Sequence, residues 1–70
     1  MIAVTDIFGQ KVCFVDEASG LVEVKNHGFY YSIILVQGQS FRIENDRSLT
    51  VVTRTDTAFT TISCSITHAA

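Results

Sequence analysis

The chain has 70 residues, 47% hydrophobic and 17% charged, with no proline, no tryptophan and two cysteines. That length allows one domain, residues 1–70, with a core near the lower limit for independent folding. Five basic against seven acidic residues give a net charge of −2, which argues against the basic field expected of a nucleic-acid or anionic-membrane binder.

No apolar run approaches the length of a membrane span, and no charged segment precedes a greasy stretch in the manner of a signal peptide. The expectation is a cytoplasmic protein without a membrane segment.

Residue choice points to strands. Val, Ile and Thr supply 23 of the 70 residues, and branching at Cβ costs less on a pleated strand than in a helix. No window repeats apolar residues at helical spacing between a cap and a stop. Turn residues recur every 8–12 residues or so, as small β domains require.

In chain order, the first predicted strand is Ile2–Phe8, turning at Gly9-Gln10. Lys11–Val15 follows, then the acidic loop Asp16-Glu17-Ala18-Ser19-Gly20. Leu21–Lys25 places Val22 and Val24 on one face and Glu23 and Lys25 on the other. After the turn Asn26-His27-Gly28 comes Phe29–Val36, apolar on both faces except for Ser32 and therefore expected at the centre of a sheet. Gln37-Gly38-Gln39 leads into Ser40–Glu44, with Phe41 and Ile43 inward and Arg42 and Glu44 outward. Asn45-Asp46-Arg47 turns the chain into Leu49–Thr55, and the last strand is Ala58–Thr67.

Short connections make neighbouring strands antiparallel. The fold class is all-β, a small meander of six or seven short strands closing into a barrel or a compact sandwich, with no substantial helix.

The C-terminal segment is the odd feature. From Thr57 to Ala70 no residue carries a formal charge, His68 aside. Such a strand either pairs within its own sheet with Ser and Thr facing water, or forms an exposed edge that dimerises or accepts a partner. Phe59, Thr61, Ser63 and Ser65 lie on one face of it and are candidate partner-binding residues.

The aromatic run Phe29, Tyr30, Tyr31 supplies the other candidates, with Tyr30 pointing opposite to its neighbours. Core packing with one exposed ring competes there with a protein-contact hot spot. Base stacking is the weaker reading, since no basic groove accompanies the rings in sequence.

Little suggests chemistry. Cys13 and Cys64 are too far apart for a CxxC-type metal spacing and are expected reduced and buried. His27 reads as a solvated turn residue and His68 as frayed. The acidic pairs Asp16-Glu17 and Asn45-Asp46 lack the alternation of a cation loop and read as turns whose side chains bond local amides. No phosphate loop, GxSxG or HExxH occurs. Neither catalysis, a metal nor a cofactor is expected.

At the level of pattern, the first fifty residues resemble the FlbD-type small flagellar proteins. The matching residues are Met1-Ile2-Ala3-Val4-Thr5, Gly9, Lys11, Val22-Glu23, Ile34-Leu35, Gly38, Phe41 and Ile43. The resemblance implies a non-enzymatic accessory role. The chain departs from that family at Thr57–Ala70, which is neither charged nor helical in pattern.

The expected function is a non-catalytic module that inhibits or adapts a larger protein partner, the build of some phage- and plasmid-encoded inhibitors by analogy of size and charge. It is also expected to dimerise through the C-terminal strand. The alternatives are a small-barrel nucleic-acid binder similar to OB or SH3-like modules, and a structural or flagellar accessory subunit assembling through strand edges.

Overall fold

A computed structural model describes residues 1–26 and 28–66. His27, His68 and Thr67, the last residue of the expected C-terminal strand, lie outside the described residues. There are seven strands and no helix among the described residues: β1 (Ile2–Thr5), β2 (Lys11–Asp16), β3 (Leu21–Asn26), β4 (Phe29–Ile34), β5 (Ser40–Glu44), β6 (Ser48–Arg54) and β7 (Phe59–Ser65).

They form two antiparallel meanders, a four-stranded sheet in the order β1-β2-β3-β4 and a three-stranded sheet in the order β5-β6-β7. The two sheets are not hydrogen-bonded into one closed barrel. Their inner faces share a core, so the chain solves its burial problem by stacking one sheet on the other.

Alternation decides which side chains reach that core. On β3, Val22 and Val24 are buried, whereas Lys25 is exposed. On β6, Ser48, Thr50 and Val52 are buried at every second position. Phe41 and Ile43 pack against the core while Arg42 and Glu44 face solvent and form an exposed ion pair of 3.4 Å. A β-bulge interrupts the period on β2: the register with β1 shifts between Val4 and Thr5, and the consecutive residues Val12 and Cys13 are both buried. A bulge lets two successive side chains face one side.

The first strand stops at Thr5 rather than at Phe8, because Asp6 turns the chain. Its Oδ1 accepts the amides of Phe8 (2.9 Å) and Gln10 (3.0 Å), and its Oδ2 accepts the buried Ser48 hydroxyl at 2.8 Å. The same carboxylate thus ties the β1–β2 turn to the second sheet. One residue on, the Ile7 amide donates to Ser63 Oγ at 3.0 Å, and Ser63 Oγ pairs with Thr50 Oγ1 at 3.0 Å. No buried side-chain polar atom among the described residues lacks a partner, as a small core requires.

The Ser48 hydroxyl holds the Asp6 carboxyl below its ordinary pKa of 3.8; burial opposes it, and the Gln10 and Phe8 amides and Asn45 add to the lowering. A depressed folded-state pKa contributes stability that is complete above the ordinary value and is lost as the pH falls through the folded one. Urea midpoints followed from neutral pH down through the carboxylate range should therefore drop more steeply for the native chain than for Asp6→Asn. Parallel curves would show that the carboxylate charge is not what the turn holds.

The strand expected at the centre is an edge. After Ile34 the chain leaves the sheet: Leu35 turns into the core, and its amide donates to the Gly20 carbonyl at 2.9 Å. Arg54 Nη1 donates to the Leu35 carbonyl at 2.7 Å. The Gly38 amide bonds the Arg54 carbonyl at 2.7 Å, which carries the chain over to β5. No described segment pairs with the far side of β4. Of the apolar side chains on β4, Ile33 packs half-buried against the core, while Phe29, Tyr30, Tyr31 and Ile34 are exposed.

Candidate functional site

Among the described residues, β4 and the position just beyond it carry five large exposed apolar side chains. Phe29 is 75% exposed, Tyr30 58%, Tyr31 47%, Ile34 65%, and Val36 just beyond the strand 58%. This overturns the expectation that two of the three rings are core. Scattered apolar residues on a surface need no explanation, but five on and just beyond one edge strand, spread over both its faces, mark a candidate interaction surface.

Two of the rings, Tyr30 and Tyr31, are held by partners within the fold. In the register of β3 and β4, Tyr30 lies opposite Lys25 and Ser32 opposite Glu23. The Tyr30 hydroxyl donates to Glu23 Oε2, and Lys25 Nζ stands 5.7 Å from the Tyr30 ring centre, within cation–π range. Hydrogen bonding to the Glu23 carboxylate, then burial and that negative charge, raise the Tyr30 phenol pKa. On the other face Tyr31 meets Phe41 edge-on, with ring centres 6.5 Å apart and planes at 76°, the favoured aromatic geometry. Anchors already fixed in this way lose less rotamer entropy when a partner docks.

The other candidates lie elsewhere. β4 adjoins β5 through the Tyr31–Phe41 contact, whereas β7 adjoins the β1–β2 turn through Ser63. The aromatic strand and the uncharged C-terminal strand therefore border opposite sides of the sandwich. Phe59 is half-buried against the core, and Thr61 lines a cleft of about 260 Å³ with β1 residues. Ser63 is engaged by Ile7 and Thr50, and Ser65 is exposed. The strand is paired to β6, but its orientation differs from the expected one: Ser63 turns inward and Ile62 is the exposed side chain. The reason is that Thr50 offers Ser63 a hydroxyl partner under the sheet.

Asp16 and Asn45 bond local groups. Asp16 Oδ1 accepts the Ala18 amide and Oδ2 the Ser19 hydroxyl, while Asn45 Oδ1 accepts the Arg47 and Ser48 amides. Glu17 is exposed beside them. No group of three or more potential metal ligands comes together among the described residues. Both cysteines are free thiols; Cys13 is buried, which pushes its thiol up to about 11, but Cys64 is exposed, contrary to expectation, because it lies on the outer face of β7.

Two features were missed in the sequence. Ile34 and Val36 extend the aromatic edge, and their signal was present: Gly28–Phe41 contains no charged residue, a run as long as the C-terminal one. The second is a cleft of about 350 Å³ lined by Lys11, Lys25 and Arg47 together with Asp46. Arg47 stacks over Phe8 there at 4.3 Å. Its cations are far apart in the chain, so only folding collects them.

No family model, curated protein or solved structure matches the chain. No helix among the described residues is long and apolar enough to cross a membrane.

Proposed function

We propose that the chain is a non-catalytic protein-interaction module whose docking surface is the β4 edge. One observation carries this reading: a single uncharged edge strand presents Phe29, Tyr30, Tyr31 and Ile34 to solvent, two of the rings being held by partners within the fold. Aromatic side chains dominate interface hot spots, and an open edge adds main-chain hydrogen bonds to their apolar contact. An adaptor or inhibitor role follows the same logic, since a domain this small covers a partner's site rather than building one. A flagellar accessory role, implied by the resemblance of the first fifty residues, is of the same non-enzymatic kind.

The cation-lined cleft favours a second reading, anion or nucleic-acid binding, but Asp46 shares it and the net charge opposes it.

The test is a capture from extract of the native host, followed by titration of the purified captured protein. Tyr30→Ala should weaken its binding by about tenfold or more, while Glu17→Gln, on the acidic turn, leaves it unchanged. Recovery of nucleic acid in place of protein, with salt-dependent binding of an oligonucleotide, would replace this reading with the second one. Binding indifferent to Tyr30→Ala would remove β4 as the surface.

A further inference from the structure

We infer that the occupant of the β4 edge is a second copy of this chain, joined antiparallel about a two-fold axis through Ser32. The inference rests on the proposed role of β4 as the docking surface and names its partner.

Three features of the strand single out a self-partner. The first is its ladder. Because the Leu35 amide bonds the Gly20 carbonyl, the alternation of an antiparallel pair turns Leu35, Ile33, Tyr31 and Phe29 toward β3 and leaves Tyr30, Ser32 and Ile34 with their amides and carbonyls pointing outward. Those residues are symmetric about Ser32. A two-fold there pairs Ser32 with its copy and Tyr30 with the copy's Ile34, satisfying roughly six ladder hydrogen bonds with no unpaired group between them.

The second feature is the side-chain pairing this register produces. Tyr30 opposes Ile34 on the outer face and Tyr31 opposes Ile33 on the inner face, aromatic against β-branched in both cases. That class of cross-strand pair is among the stabilising ones. Ser32 meets its copy as a hydroxyl pair, the small residue at the crowded axis.

The third is charge. Two-fold pairing sets the strand against its own reverse, so a charge near the axis would stand close to its copy and meet a like charge. Gly28–Phe41 carries none. The other edges differ: β1 has four residues ending at a bulge, β5 bears Arg42 and Glu44, and β7, though uncharged, exposes Ile62 as its one large apolar side chain. β4 lacks the charge, proline, bulge or cover with which natural edges are blunted. Its exposed apolar side chains present on the order of 500 Å² per copy, about 1,000 Å² for the pair, which is the lower bound for a specific interface. Pairing would create one continuous sheet from β1 through β4 of one copy to β4 through β1 of the other.

Sedimentation from micromolar to near-millimolar concentration tests this on the full chain. The native chain should move to twice the 7.7 kDa mass of the monomer. Ser32→Pro removes an outward amide without touching the bond to β3, a substitution edge strands tolerate, and should remain monomeric with an unchanged circular dichroism spectrum. Ile34→Lys, which places a charge on the edge, should do the same even if the proline variant folds poorly. Ile62→Lys on β7 should leave the dimer intact.

A native chain that stays monomeric, or a folded Ile34→Lys variant that still dimerises, overturns the inference. So does dissociation by Ile62→Lys alone, which would assign the dimer to β7. A monomeric native chain whose captured partner still depends on Tyr30 would remove the dimer while keeping the docking surface. Loss of Tyr30 dependence in an intact dimer would do the reverse.

Discussion

Replacing Gly20 with alanine is expected to lower the unfolding free energy by about 3 kcal/mol, combining left-handed backbone strain with a steric clash. Gly20 has φ +81°, and a Cβ there would stand 2.5 Å from the Leu35 carbonyl oxygen and collide with the Arg54 guanidinium. Neither neighbour can retreat cheaply. The Gly20 carbonyl accepts the Leu35 amide at 2.9 Å and its own amide donates to Asp16 at 2.9 Å. Arg54 is held against the same Leu35 carbonyl. Gly9 provides the control: its φ is also +81°, but nothing lies within 4 Å of its missing Cβ. Gly9→Ala should therefore cost only the backbone share, about 1–2 kcal/mol. Urea denaturation of the two variants separates the contributions. Equal losses would mean that the crossover yields and the close approach at Gly20 is not a constraint.

Leu35→Ala is the second large effect, also about 3 kcal/mol, within the range for emptying a buried leucine site. Leu35 is 5% exposed and is the largest side chain in a buried core otherwise made of Val4, Val12, Cys13, Val15, Val22, Val24 and Val52. It sits where the chain passes from one sheet to the other, so few neighbours can collapse into the space it leaves. For a domain of this size each kcal/mol moves the melting temperature by roughly 4–8 °C. The variant should melt more than about 10 °C below the native chain, and Leu35→Met should recover most of the difference because it conserves volume. The neighbouring Val36→Ala, at an exposed position, should shift it little. A Leu35→Ala midpoint close to that of Val36→Ala would show that the two sheets do not depend on the crossover residue.

Much of the architecture was legible in the residues. Alternation of Val22 and Val24 with Glu23 and Lys25 identified β3 and its faces, and Phe41 and Ile43 against Arg42 and Glu44 identified β5. These readings survive because a period of two is a local property: one buried face on a strand leaves its mark whatever the strand packs against. The turns at Asp16 and Asn45 were equally local, resting on short side chains that bond nearby amides. Where local signals are ambiguous, alternation alone does not place a strand. Phe29–Val36 is apolar on both faces, a pattern produced alike by a central strand buried on both sides and by an edge strand awaiting a partner. Ser63 and Ile62 alternate on β7, but which of them turns inward depends on Thr50 from a neighbouring strand.

Residue choice alone specifies an all-β chain of six or seven strands with antiparallel neighbours, since Cβ branching, alternation and turn residues act within a few positions. It also determined the shortage of charge over Gly28–Phe41 and over Thr57–Ala70. That the strands divide four and three, that β4 is an edge, and that Lys11, Lys25 and Arg47 share a cleft follow from long-range contacts. The division turns on the bonds Gly20–Leu35 and Leu35–Arg54, which join residues from three distant parts of the chain. Contacts of that kind depend on where segments end up in space, so no window of sequence contains them.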